Sequence, residues 1–210
     1  MNEFLVNEPD GKAYSHFVFA HGAGAPMDTP FMNVIAEGLA DRGIRVSRFE
    51  FPYMAKRRED GKRRGPGNAT RLLGFYRDIV NEIRNDLPLF IGGKSMGGRI
   101  ASMIADEDGL SGIICLGYPF HPPGKPENLR TEHLRTMKLP TLIIQGERDP
   151  FGRPEEVGEY DLAKTIKVVW IPDGDHSLKP RKKSGYDEAG NLSKAVEAAS
   201  EFIKISGRQT

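Results

Sequence analysis

Ser95 stands between two glycines at a fixed spacing, Gly93-Lys94-Ser95-Met96-Gly97, and a serine so placed can act as a nucleophile. The pentapeptide directly follows the apolar run Leu89-Phe90-Ile91 and runs into a stretch of helical spacing from Gly97 to Asp106. A serine on such a strand–turn–helix junction sits in a strained turn with its hydroxyl lifted above the sheet edge. Its neighbours must be small for strand and helix to approach, and glycine meets that demand. The chemistry implied is acyl transfer: attack on an ester or thioester carbonyl, an acyl-enzyme, and its hydrolysis.

A serine hydroxyl needs a base to become nucleophilic near neutral pH. The chain has five histidines, His16, His21, His121, His133 and His176. His16 begins a strand-like run, His21 precedes a glycine-rich loop, His133 lies in a helical pattern and His121 in the proline-rich HPPGKP. His176 alone follows the last strand-like run, in Pro172-Asp173-Gly174-Asp175-His176-Ser177, and is the expected base. The orienting acid should follow an intermediate strand, in the chain order serine, acid, histidine. Thr141 to Gln145 is that strand and Gly146-Glu147-Arg148-Asp149-Pro150 its exit. Asp149 is the preferred acid, because G-x-x-D ahead of a proline recurs at this turn; Glu147 is the runner-up, with Asp173 and Asp175 more distant alternatives.

The oxyanion of a tetrahedral intermediate needs backbone donors, each commonly worth about 3 kcal/mol. One is expected from the N–H of Met96, the other from the N–H of Ala23 in His21-Gly22-Ala23-Gly24-Ala25-Pro26. Gly22 and Gly24 would let the backbone approach the substrate carbonyl, and Lys94 beside the nucleophile is a further candidate substrate contact. Other chemistries fit less well. Cys115 lies inside an apolar run and should be buried and inert. No histidine or cysteine pair has zinc-ligand spacing, so neither metal nor other cofactor is expected. Gly93-Lys94-Ser95 resembles the tail of a phosphate-binding loop, but Pro88 stands where that motif requires its first glycine.

These groups must be carried by an alternation of strands and helices. Strand-like runs are His16 to Ala20, Ile44 to Phe49, Leu89 to Gly92, Gly112 to Gly117, Thr141 to Gln145 and Ile166 to Ile171. Helical patterns fall at Phe31 to Arg42, Ala69 to Asp86, Gly97 to Asp106, Glu127 to Met137, Pro154 to Leu162 and Asn191 to Ile205. Such alternation implies right-handed crossovers and a mainly parallel sheet covered on both faces, within one domain spanning residues 1–210. Two segments, Lys56 to Arg64 and Lys179 to Lys183, are basic and read most simply as solvated loops.

With 30 Lys and Arg against 29 Asp and Glu in 210 residues, global charge gives no reason to expect a nucleic-acid partner. A single cysteine excludes an internal disulfide and suits a reducing compartment. The N-terminus does not read as a signal peptide, and no run approaches the roughly 18 apolar residues of a membrane span, so a cytoplasmic protein with no membrane partner is expected. The oligomeric state stays open.

Taken together, HGAGAPMD, FPY at Phe51 to Tyr53, GKSMGGR and GERDPFG resemble the α/β-hydrolase superfamily along essentially the whole chain. Within it they are similar to small predicted hydrolases related to dienelactone hydrolase and to the group holding testis-expressed protein 30 and KANSL3. The resemblance implies a compact fold and a Ser–Asp–His site at Ser95, Asp149 and His176. Dienelactone hydrolases carry cysteine at the nucleophile position, so their substrate does not transfer to a chain with Ser95. Only Tyr118 to Leu139 separate the fourth and fifth strand-like runs, which leaves no room for a closed lid and suits a small acyl substrate. Basic loops after parallel strands gather at the active-site edge, so Lys56 to Arg64 and Lys179 to Lys183 would form a cationic rim favouring carboxylated or phosphorylated substrates. The alternative function is a non-catalytic protein-interaction module on a hydrolase fold.

Overall fold

A computed structural model describes residues 2–208. Seven strands form one sheet in the order β1-β3-β2-β4-β5-β6-β7, namely β1 (Phe4–Asn7), β2 (Ser15–Ala20), β3 (Ile44–Phe49), β4 (Leu89–Lys94), β5 (Leu110–Leu116), β6 (Thr141–Gly146) and β7 (Ile166–Ile171). All neighbours run parallel except β1, which pairs antiparallel with β3. The helices are α1 (Pro30–Ala40), α2 (Pro52–Asp60), α3 (Ala69–Ile83), α4 (Met96–Ser102), α5 (Pro154–Val157) and α6 (Glu188–Ser206).

Both faces of the sheet are covered because its central strands are apolar on both sides. Along β2 and β5 the residues alternate: Phe17, Phe19, Ile114 and Leu116 pack with α1 and α6, while Val18, Ala20, Ile113 and Cys115 pack with α3 and α4. Tyr76 of α3 is wholly buried; its hydroxyl donates to the Gly92 carbonyl at 2.6 Å and accepts from the Gly92 N–H at 3.0 Å. That contact locks α3 to the strand that delivers Ser95.

The elements differ from the sequence expectations where side chains redirect the backbone. β1 carries no alternation, with Leu5 and Val6 both exposed, and forms only because the edge of β3 is there to pair with. Lys56 to Asp60 is helix rather than loop. Pro52 starts α2, Arg58 ties it to Glu50 and Asp28, and Gly61 at φ 70 ends it. The helix expected over Glu127 to Met137 shrinks to a 3-10 turn at Glu132–Thr136, because Phe120 and Tyr118 take the backbone N–H and carbonyl of Arg130. The one at Pro154 stops at Val157, ahead of Gly158, and α4 ends at Ser102 rather than Asp106.

The junction of β4 and α4 leaves no room for a side chain at either flanking glycine. A Cβ on Gly97 would lie 2.6 Å from the carbonyl oxygens of both Ala20 and His21, and one on Gly93 would lie 2.5 Å from the Gly97 carbonyl carbon. Backbone cannot yield as a side chain does, so Gly97→Ala should cost about 3 kcal/mol or more. Denaturant unfolding of the variant measures this, and a loss below about 1 kcal/mol contradicts the packing described.

Candidate active site

Ser95 occupies the turn between β4 and α4 at φ 52, ψ −115, a conformation sparsely populated by residues other than glycine. The turn is pinned from both sides: the Ser95 N–H donates to the Leu116 carbonyl at 2.9 Å and its carbonyl accepts from the Arg99 N–H at 3.0 Å. Strain at one residue, costing on the order of 1–3 kcal/mol, persists only where the surroundings over-determine it.

His176 reaches this serine from the loop after β7. Its Nε2 lies 2.9 Å from Ser95 Oγ and its Nδ1 lies 2.8 Å from Asp149 Oδ2, so one imidazole joins hydroxyl and carboxylate. The Phe151 ring packs on the imidazole with centroids 4.3 Å apart. Asp149 is fully buried. Its Oδ1 accepts from the Phe151 N–H at 2.9 Å, and its Oδ2 accepts from Gln145 Nε2 at 2.9 Å as well as facing His176. The Gln145 amide cannot turn over, because its Oε1 already accepts from the Tyr118 N–H at 2.7 Å. Gln145 was not singled out from the sequence; a polar residue closing an apolar strand was the available signal.

The other three carboxylates shape the loop instead. Glu147 Oε2 accepts from the Asp173 N–H at 2.8 Å. Asp175 Oδ1 accepts from the N–H groups of Ser177 and Lys179 at 2.8 and 3.0 Å. Asp173 pairs with Arg181 at 2.6 Å and Arg148 at 2.9 Å, and Arg181 first of all holds its carboxyl down to about 2.

Lys94 is turned toward the histidine loop. Its ammonium donates to the His176 carbonyl and lies 5.4 Å from the centre of the Phe31 ring. Burial pushes its pKa down to about 8, against the opposing pull of Asp149 and Asp175. Through that bond Lys94, the candidate substrate contact, is joined to the loop that carries His176.

The glycine-rich loop after β2 crosses directly over the serine: a Cβ on Gly22 would lie 3.7 Å from Ser95 Cβ, whereas one on Gly24 would meet nothing within 4 Å. Successive carbonyls of this loop are tied down. His21 Nδ1 lies 2.7 Å from the Gly22 oxygen, the Tyr53 hydroxyl donates to the Ala23 oxygen at 3.0 Å, and Arg57 donates to the Gly24 oxygen at 3.1 Å. His21 Nε2 accepts from the Phe51 N–H at 3.1 Å, which assigns its proton to Nδ1, and burial lowers its pKa. Burial pushes the Tyr53 phenol up to about 12, so it remains a donor. In a trans peptide the N–H points opposite to the preceding carbonyl. Fixing the Gly22 oxygen toward His21 therefore sends the Ala23 N–H the other way. Met96, first in α4, has an N–H with no intrahelical acceptor.

Half of the cations in the two basic segments are ion-paired. Arg58 pairs with Glu50 and Asp28, Lys56 with Glu59, Arg64 with Asp60, Lys179 with Glu188 and Arg181 with Asp173. Among the described residues, Arg57, Lys62, Arg63, Lys182 and Lys183 make no ion pair.

Comparison with known proteins agrees with this architecture. A family model described as an alpha/beta hydrolase domain matches residues 13–204. Dienelactone hydrolase from Anabaena variabilis ATCC 29413 superposes with a TM-score of 0.71 at 24% identity, over 96% of this chain and 90% of that one. XC6422 from Xanthomonas campestris, a serine hydrolase without a lid, gives 0.69 at 18% identity over 96% and 88%. Est1E from Butyrivibrio proteoclasticus, solved with ferulic acid bound, gives 0.70 at 17% identity over 99% and 96%. Each exceeds 0.5 in TM-score and falls below 25% in identity, so what they share with this chain is the fold.

Proposed function

The chain belongs to the α/β-hydrolase family, and from that premise we propose that it is a serine hydrolase cleaving an ester or thioester of a small acyl substrate. One observation carries the reading: His176 lies within hydrogen-bond distance of Ser95 Oγ on one ring nitrogen and of the buried Asp149 on the other. Nothing further needs to move for proton transfer. Esterase and serine-hydrolase neighbours of the same fold support it.

In this mechanism Ser95 Oγ attacks the acyl carbon while its proton passes to His176 Nε2. Asp149 holds Nδ1–H and stabilises the imidazolium that forms. The carbonyl oxygen gains negative charge opposite the N–H groups of Met96 and Ala23. Collapse expels the alcohol or thiol, which takes the proton from Nε2. Water, deprotonated by the same nitrogen, then releases the acid and restores Ser95. No cofactor enters any step.

A fluorophosphonate probe should label Ser95 alone. Mass spectrometry should locate the adduct on the peptide containing Lys94 to Arg99. Folded protein that takes no adduct favours the non-catalytic interaction module, and an adduct elsewhere removes Ser95 as the nucleophile.

The tethered loop gives a second expectation. Tyr53→Phe deletes the donor to the Ala23 oxygen, loosening the loop just after the Ala23 N–H, and should lower kcat roughly fivefold, with KM changed less than twofold, because a hydrogen bond is worth about 1 kcal/mol and the oxyanion is bound only in the transition state. Steady-state kinetics on a short-chain p-nitrophenyl ester decides it; an increase in KM at constant kcat would assign Tyr53 to substrate binding instead.

A further inference from the structure

Arg99 and Arg130 carry positive charge that no acidic group among the described residues pairs with. Arg99 lies one helical turn beyond Ser95, and Arg130 lies in the segment after β5, its N–H donating to the Phe120 carbonyl at 2.7 Å. Among the described residues neither guanidinium donates to a protein acceptor or pairs with a carboxylate, and Arg99 Nε is buried from solvent with no partner. Every other buried cation discussed above has an acceptor.

The backbones of both arginines are fastened to one imidazole. The Ser102 hydroxyl donates to the Arg99 carbonyl at 2.8 Å, and the Tyr118 hydroxyl donates to the Arg130 carbonyl at 3.0 Å. Each hydroxyl has spent its proton, so each oxygen faces His133 Nε2 as an acceptor, at 2.9 and 3.4 Å. Nε2 must therefore be the protonated nitrogen. Burial, with the charge of Arg99 in second place, pushes His133 down to about 4, so it is a neutral bracket rather than a third cation. Burial, and after it the charge of Arg99, also lower Arg130.

Two like charges, part-desolvated and held on a rigid frame without a counter-ion, are costly unless an anion joins them. The planar fork of a guanidinium matches carboxylate or phosphate oxygens. The frame also adjoins the catalytic groups. Tyr118 donates its N–H to the Gln145 amide that in turn donates to Asp149. Helical side chains lean toward the N-terminal end of their helix, which for Arg99 is the Ser95 end.

We propose that Arg99 and Arg130 form a subsite for an anionic group, carboxylate or phosphate, borne by the acyl substrate whose carbonyl lies at Ser95. The substrate part of this rests on the serine-hydrolase reading; the anion part rests on the two arginines and their bracket. It places the anion preference on a fixed pair of arginines, away from the basic loops, half of whose cations are already ion-paired.

Calorimetric titration of the full chain carrying Ser95→Ala with inorganic phosphate, and separately with succinate, at constant ionic strength tests the site without requiring turnover. Saturable binding is expected, weakened about tenfold or more by either Arg99→Gln or Arg130→Gln, and partly retained in the lysine variants. Whichever anion binds more tightly identifies the group. Placement is tested with Ser95 intact: the same anion should raise KM for a neutral ester without lowering kcat. The preference for a succinate monoester over its methyl-capped counterpart, as a ratio of kcat/KM, should fall about tenfold in either variant. Absent or variant-independent binding overturns the subsite. So does an unchanged KM, or an equal fall in Lys182→Ala, which would mean long-range charge. If Ser95 takes no fluorophosphonate while Arg130→Gln still abolishes phosphate binding, the hydrolase reading fails and the anion site stands. The reverse pattern removes the site and leaves the hydrolase.

Discussion

Ser95→Ala should lower kcat for a short-chain acyl ester by about 10⁵-fold while leaving the protein folded. The loss is expected to be this large because no other group in the described structure can replace the hydroxyl. Cys115 is wholly buried in β5, and burial raises its thiol far above the range in which thiolate forms. Ser102 has its proton committed to the Arg99 carbonyl, and the imidazole beside it, His133, has no carboxylate behind it. Folding should survive because the Ser95 hydroxyl has one partner, His176 Nε2, which the loop holds in place through Asp149 and Lys94. Strain supplies an internal control. Alanine at φ 52 keeps the strain whereas glycine relieves it, so Ser95→Gly should be the more stable of the two inactive variants by about 1 kcal/mol. Kinetics with denaturant melts of both variants reads the two effects separately. Activity of Ser95→Ala within tenfold of the natural protein would end the nucleophile assignment.

Asp149→Asn should reduce kcat by about 10³- to 10⁴-fold, although it changes no volume. Asparagine in this place cannot satisfy its neighbours. Oδ2 of Asp149 receives the Gln145 amide and faces His176 Nδ1, while Oδ1 receives the Phe151 N–H. Turning the new NH₂ toward Gln145 sets two donors face to face, since Gln145 is fixed by the Tyr118 N–H, and forces His176 to accept at Nδ1. The proton then sits on Nε2, where it faces Ser95 and blocks base catalysis. Turning the NH₂ toward Phe151 instead opposes a backbone N–H, leaving a buried donor unpaired at about 1–3 kcal/mol. Either outcome damages the site, the first through tautomer and the second through stability. Measuring kcat beside the denaturation midpoint separates them. Retention of both would return Glu147, Asp173 or Asp175 to consideration as the acid.

Much of the architecture was legible because local pattern and tertiary demand agree there. Ile44 to Phe49 and Ile166 to Ile171 are apolar runs bounded by turn residues, and both are strands over those spans. The segments that departed from expectation are those whose backbone groups are claimed from outside. Arg130 gives its N–H to Phe120 and its carbonyl to Tyr118, so helical spacing around it could not be realised. Conversely, the charged α2 has one buried residue, Met54, and is held by ion pairs to Asp28 and Glu50 that no local window contains.

The same division runs through the site. By itself the sequence determined the strand–turn–helix around Ser95 and the positions of His176 and Asp149 after successive strands, because glycine spacing and chain order in a parallel sheet are one-dimensional properties. Only the tertiary structure decided which of four carboxylates faces His176, since Glu147, Asp173 and Asp175 differ from Asp149 in what surrounds them rather than in what they are. It alone decided which cations of the basic loops are ion-paired and that Arg99 and Arg130 are not. Composition counts charges, but pairing is set by distances between residues far apart in the chain, and those exist only once the sheet has brought its strand ends together.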